Sequence, residues 1–187
     1  MIFSEHRLSV APMLDRTDRD FRYFMRLISK DVLLYTEMIT AKAILYGDAK
    51  RHLEFSLEEK PLVLQLGGDN PDEMQRASCI AKDFSYDALN LNVGCPSSRV
   101  QNGNFGACLM QEPNLVAELV SAMKESGLPV SVKCRLAAIS SLSESYSYDG
   151  LARFVEKVSI IQNFLPYMLV WLCSAGFPRK KTGKYHH

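Results

Sequence analysis

Along the chain, short runs rich in leucine and β-branched residues alternate with longer stretches in which apolar positions recur every three or four residues. That order is the signature of βα units around a parallel sheet. It predicts strands over residues 8–11, 33–36, 62–66, 88–92 and 130–133, each apolar enough to be buried on both faces. Between them, Thr17 is positioned to cap a helix with an inward stripe of Phe21, Phe24, Met25 and Ile28. Asn70-Pro71 opens another helix through Met74, Ala77 and Ile80, and Pro113 a third through Leu115, Leu119, Ala122 and Met123, with Gly127 past its end. A last helix is expected over 148–158. Residues 138–147, with five serines, read as a loop, and beyond Val158 the pattern degrades.

Composition narrows the class without naming a function. With 187 residues, 47% hydrophobic and 23% charged, the chain is an ordinary globular one, and collagen-like, disordered and membrane-spanning readings fall away. The apolar run 164–173 contains Pro166 and is too short for a bilayer. The chain is shorter than the roughly 250 residues typical of a complete (β/α)8 barrel. Net charge is +1, which gives no global pull toward nucleic acid or lipid. Arg179, Lys180, Lys181 and Lys184 near the end outweigh that total, so the rest of the chain is net acidic. The five cysteines are scattered, with no Cys-x-x-Cys pair, which argues for a reducing compartment and against a zinc ribbon. No secretory signal or acid-poor transit peptide is visible in residues 1–30, so a cytoplasmic location is expected, with an organelle as the alternative.

Ligands of parallel α/β folds bind beyond the carboxyl ends of the strands. Those ends here would deliver Pro12 and Met13, then Glu37, then Gln65 with Gly67-Gly68, then Asn92 and Cys95, then Lys133 and Arg135. An amide, a thiol, an amine and a guanidinium on one rim suit a planar heterocycle better than a metal. No pair of histidines has metal-ligand spacing and no Gly-x-Gly-x-x-Gly follows a strand, so neither a zinc site nor a Rossmann dinucleotide site is supported. The densest stretch is LNLNVGCPSSRVQNGNFGACLM, residues 89–110, where a strand runs into Gly94-Cys95-Pro96. A thiol held at such a turn is mostly protonated at neutral pH and can serve as a general acid. The competing reading of any cysteine is a small buried hydrophobe, and Cys79, Cys108 and Cys134 take that reading. Cys134 should point away from the face used by Lys133 and Arg135.

At these residues the sequence resembles the tRNA-dihydrouridine synthases, in particular the A-type subfamily. The matching pieces are VAPMLDRTDRDFRYFMRLIS, LLYTEMITAKAI, PLVLQLGG, LNLNVGCPSSRVQNGNFGACLM and PVSVKCR, in order and at family spacing over about residues 7–158. The resemblance implies an incomplete TIM barrel of about the first five βα units. It also implies FMN as cofactor, NADPH as electron donor, and reduction of a D-loop uridine in tRNA to dihydrouridine. Carried over residue by residue, it implies that Pro12, Met13 and Leu14 border the flavin, Gln65 bonds its ring and Lys133 holds its reduced form. It further implies that Asn92 holds the flipped uracil and that Cys95 protonates it, with Arg99 and Arg135 as anion or uracil contacts.

The reading by domains is a partial FMN-binding barrel over 1–158 and an aberrant tail over 159–187, with the family's helical tRNA-binding domain absent. Read one register over, codons for 178–187 can give a peptide resembling the family's continuation, so a frameshift or a mis-spliced gene model beginning between Val158 and Phe164 is expected. Two other readings stay open: a silent half-barrel that binds RNA or a partner, and a flavin enzyme acting on a free pyrimidine. A partial barrel leaves strand edges unpaired and predicts self-association through them.

Overall fold

The structure is a computed structural model that describes residues 2–97, 100, 103–135, 148–160 and 168–170. After a single turn, α1 (Ile2–Glu5), and an extended segment, the chain alternates as the apolar pattern demands. The order is α2 (Arg19–Ile28), β1 (Leu34–Tyr35), β2 (Ile39–Thr40), α3 (Ala41–Tyr46), α4 (Ala49–Leu53), β3 (Leu62–Gly67) and α5 (Pro71–Asp83). There follow β4 (Ala88–Val93), α6 (Pro113–Lys124), β5 (Val130–Cys134), α7 (Tyr148–Ile160) and β6 (Met168–Val170). Every strand pair is parallel, in the order β1-β3-β4-β5-β6. The sheet curls into a half-barrel with helices outside it, an incomplete (β/α)8 barrel.

The expected strands at 62–66, 88–92 and 130–133 are present, each extended by a residue or so. The segment 8–11 lies parallel to the start of β1 through a single bridge, Ser9 with Leu33, and two backbone bonds, Val10 N–H to Leu33 O and Leu33 N–H to Leu8 O. The expected strand 33–36 is present in shortened form as β1, and a second short strand, β2, which was not expected, follows it. Both β1 and β2 run along the same side of β3, β1 against Leu62 and Val63 and β2 against Leu66 and Gly67. Between them the Thr36 hydroxyl accepts the Gln65 N–H at 3.1 Å, so a side chain fills the rung that a strand carbonyl would supply.

Helix starts follow their caps. Asp18 rather than Thr17 caps α2, accepting the Phe21 N–H, while Asn70 caps α5 as expected, ahead of Pro71. Gly127 closes the chain after α6 with φ +81°. The inward stripe expected for α2 holds only in part: Phe21 and Met25 are half-buried, Met25 against the main core, but Phe24 and Ile28 are 57% and 63% exposed, and Arg22 and Arg26 are buried instead. The cause is a polar demand beneath the helix. Arg26 donates to the carbonyls of Ser29, Lys30, Val32, Glu59 and Pro61, which gathers the amino ends of β1 and β3 onto one guanidinium. Arg22 pairs with the buried Glu59 carboxylate at 2.6 Å.

The sheet has two unlike faces. Outward, Leu64, Leu66, Leu89, Leu91, Val93, Val132 and Cys134 pack against Met74, Ala77, Ala81, Val116, Leu119 and Met123, the main core. Inward, a small apolar cluster of Leu33, Tyr35, Val63 and Ala88 is covered by Ile2 and Phe3 of α1. Strand alternation then places Gln65, Asn90, Asn92, Ser131 and Lys133 further along that same inner face. The inside of the half-barrel therefore passes from apolar at the amino ends to polar at the carboxyl ends. Beyond Val158, α7 continues to Ile160, and Met168–Val170 pairs with β5. The serine-rich loop 138–147 and the lysine-rich end lie outside the described residues.

Candidate active site

The polar end of the inner face converges on the turn that follows β4. Asn92 bends its side-chain oxygen back onto the chain and accepts the N–H groups of Gly94 at 3.0 Å and Cys95 at 2.9 Å. Such a local bond is a standard use of asparagine at a turn. The Gly94 carbonyl accepts from Arg135 Nη1 at 3.1 Å, and the Cys95 carbonyl accepts the Ala107 N–H at 3.0 Å. Both peptide groups of the turn thus have their donors and acceptors engaged. Gly106, at φ +75°, lets the returning loop pass close to the Cys95 carbonyl. Cys95 is left half-buried, its Sγ 3.4 Å from the Ser97 hydroxyl.

Behind the turn lies a row of buried side chains. Asn92 Nδ2 donates to Gln65 Oε1 at 2.9 Å, Gln65 Nε2 donates to Asn90 Oδ1 at 2.7 Å, and Asn90 Nδ2 donates to Ser131 Oγ at 2.9 Å. Ser131 in turn donates to the Leu89 carbonyl at 3.3 Å. Gln65 and Asn92, expected as cofactor and substrate contacts, are thereby brought together and fixed. Asn92 has both lone pairs of Oδ1 taken and one N–H to spare, so a ligand atom meeting it must be an acceptor. Asn90 and Ser131 were not among the expected site residues. Their signal was present in the alternation of LNLNV and VSVK, where polar residues at every second position mark a polar face on otherwise apolar strands.

The first rim loop is built by Thr17, which does not act as a helix cap. Its hydroxyl accepts the Met13 N–H at 3.0 Å and donates to the Met13 carbonyl at 3.2 Å, and its own N–H also reaches that carbonyl. Arg22 holds the Thr17 carbonyl at 2.6 Å. Pro12 is buried, while Met13 and Leu14 stand exposed at the rim. Glu37, after β1, accepts the Arg16 N–H at 3.1 Å and so ties this loop to the next. Lys133 sits on β5 in register with Asn92. Arg135, expected as a ligand contact, spends one donor on the turn itself. Arg99 lies outside the described residues.

The other cysteines sort by burial. Cys134 is fully buried on the outer face, away from Lys133, and burial pushes its thiol up to about 11, with the Lys133 charge opposing. Cys108 is half-buried and donates to the Phe105 carbonyl at 3.1 Å; burial raises its pKa as well. Cys79, expected as a buried hydrophobe, is exposed on α5, because Ser78 and Ala77 take the inward positions. Among the described residues there is no cluster of metal-ligating side chains, and no helix is long and apolar enough to cross a membrane.

A parallel half-barrel with a braced thiol, an amide donor and an amine at its carboxyl rim belongs to the barrel class, in which ligands are bound at the strand ends. Within that class, the profile of the dihydrouridine synthase (Dus) family matches residues 9–158, and the chain belongs to this family. It is 57% identical over 153 residues to a tRNA-dihydrouridine(20/20a) synthase of Synechocystis sp. (strain ATCC 27184 / PCC 6803 / Kazusa), covering 81% of this chain and 45% of that protein. A protein of the same name from Vibrio parahaemolyticus is 54% identical over 154 residues, 82% of this chain and 46% of its own length. One from Escherichia coli O6:H1 is 48% identical over 159 residues, with coverage of 84% and 46%. The chain spans about half the length of the curated relatives it matches.

Proposed function

We propose that this chain carries the proton-donating and base-holding side of a tRNA-dihydrouridine synthase, with Cys95 as the acid. The observation that carries the reading is the Gly94–Cys95 turn, braced from three directions, in a chain of the dihydrouridine synthase family. The reaction adds two hydrogens across the C5=C6 bond of a uridine. FMN, recharged by NADPH, supplies a hydride to C6 when bound. Cys95 supplies the proton to C5, giving up its S–H bond as a C–H bond forms, and is reprotonated from solvent beside Ser97.

The donor set of the rim fits a flavin ring. Gln65 retains one N–H beyond the one it gives Asn90, and Lys133 adds an amine on the neighbouring strand of the same face. Ring carbonyls and unprotonated ring nitrogens are acceptors, so these groups would hold that edge, with Pro12, Met13 and Leu14 bordering it from the first loop. The remaining N–H of Asn92 suits a uracil carbonyl. A base must leave the helical stack before this thiol can reach it, so the substrate is a flipped nucleotide in tRNA. Arg135 and Arg99 are assigned to the anionic backbone or the base.

The test is a reconstitution of the purified chain with FMN, NADPH and an unmodified tRNA transcript, scored for dihydrouridine by mass spectrometry. Wild type should form it, and Cys95→Ala should fall by about 10²–10⁴-fold, the range of a positioned general acid. Conversion of free uracil or orotate in place of tRNA would move the reading to a pyrimidine enzyme. A chain that retains tRNA but never takes up flavin would identify it as a silent binding module.

A further inference from the structure

The row of side chains behind the turn has a direction that chemistry fixes at both ends. At one end, the backbone N–H groups of Gly94 and Cys95 can only donate, so Asn92 must turn its oxygen toward them and its nitrogen toward Gln65. At the other end, the Leu89 carbonyl can only accept, so the Ser131 hydroxyl must donate to it and receive from Asn90 Nδ2. Asn90 is the member on which the two requirements meet. Its nitrogen is claimed by Ser131, its oxygen is therefore offered to Gln65, and Gln65 is left with its own oxygen facing Asn92.

We propose that Asn90 is a positioning residue that sets the polarity of the Gln65 and Asn92 amides and, through them, holds the Cys95 turn. It touches neither thiol nor ligand and is fully buried. Its function is to stop Gln65 from flipping: reversal would put two amide oxygens face to face, next to an anchor that cannot reverse. The proposal rests on the reading of Cys95 and Asn92 as site residues, but its test does not use the reaction.

Packing and polarity make opposite demands at this position. Asn90→Leu keeps the shape and cannot accept from Gln65. Asn90→Asp, kept protonated by burial, keeps an oxygen toward Gln65 and directs its own O–H at Ser131. Hydrogen exchange of the Gly94 and Cys95 amides, resolved by NMR on the flavin-free chain, separates the two. In Asn90→Leu both amides should exchange about tenfold faster, the equivalent of one net hydrogen bond, while the amides of β3 keep their wild-type rates. Asn90→Asp should restore the slow rates. Wild-type rates at Gly94 and Cys95 in Asn90→Leu, or fast rates in both variants, would overturn the proposal. Should Asn90→Leu fail to fold, Ser131→Ala decides: faster exchange at the two amides supports the polarity anchor, and unchanged exchange refutes it. Failure of the wild-type chain to form dihydrouridine would count against the proposed reaction alone, because the exchange rates are read without it.

Discussion

Replacing Gly106 by alanine should release the Cys95 turn, and the size of the effect follows from a comparison inside the same molecule. Among the described residues two glycines hold positive φ, Gly106 at +75° and Gly127 at +81°. An alanine at either position pays about 1–2 kcal/mol for the left-handed backbone. It regains about 0.4–1 kcal/mol from the stiffer unfolded chain. Gly127→Ala should therefore cost about 1 kcal/mol, since its new methyl would meet only Lys82 Nζ, at 3.5 Å. At Gly106 the methyl would lie 2.4 Å from Val100 Cγ1 and 2.7 Å from the Cys95 carbonyl oxygen. Neither neighbour is a loose side-chain end: Val100 is buried, and the carbonyl is the acceptor of the Ala107 N–H. Relief of that overlap adds about 1–3 kcal/mol. Loss of the hydrogen bond adds roughly another 1. The total is about 3–5 kcal/mol. Urea denaturation followed by circular dichroism measures the difference: with a slope near 2 kcal/mol/M, the midpoint should fall by about 0.5 M for Gly127→Ala and about 2 M for Gly106→Ala. Peptide-resolved alkylation should also find Cys95 more reactive in Gly106→Ala only. Equal midpoints for the two variants would refute the claim that the loop clamps the turn.

Two further outcomes test the frame around the site. Glu59→Leu strands the buried Arg22 guanidinium and should cost about 3–5 kcal/mol in urea denaturation, whereas the double variant Arg22→Met/Glu59→Leu should recover most of it; additive losses would show that the two do not act as a pair. The Cys134 thiol, raised from 9.0 to about 11 by burial, stays neutral in the folded chain while the unfolded chain ionises. Below pH 9 both states keep the proton and stability is unaffected by this group. From pH 9 to 11 only the unfolded state releases it, so stability should fall by about 1.4 kcal/mol per pH unit, about 3 kcal/mol in all. Subtracting the Cys134→Ala curve from wild type isolates this component, and coincident slopes would rule it out.

The strands of the inner units were legible because unbroken apolar runs leave few alternatives for β3, β4 and β5, and the rule that strand ends carry ligands put Gln65, Asn92, Cys95 and Arg135 on one rim. What escaped the sequence was every decision made by a side chain meeting backbone far away. The α2 stripe of Phe21, Phe24, Met25 and Ile28 has faultless helical spacing, yet Arg26 wins the inner face because Val32, Glu59 and Pro61 present carbonyls there. No periodicity encodes that demand. Thr17 and Asp18 are both good caps, and only the position of Met13 decides that the threonine is spent on the rim loop. The split of β1 from β2 likewise depends on one hydroxyl, that of Thr36, reaching Gln65.

These same long-range bonds explain why the thiol has a defined place although it lies past the end of its strand. A turn residue ordinarily inherits the freedom of a loop. Here the Gly94 and Cys95 peptides are held by Asn92 from within β4, by Arg135 from beyond β5, and by Ala107 from the returning loop. Asn92 is itself held by Gln65 of β3. Three neighbouring strands must be in register before all four contacts exist, and the parallel ladders between them supply that register through the outer core of leucines and valines. The position of the Cys95 thiol is thus a property of sheet pairing. A substitution on the helix-facing side that slips β5 by one residue would exchange Lys133 for Cys134 on the inner face, and so remove the amine and the Arg135 brace together.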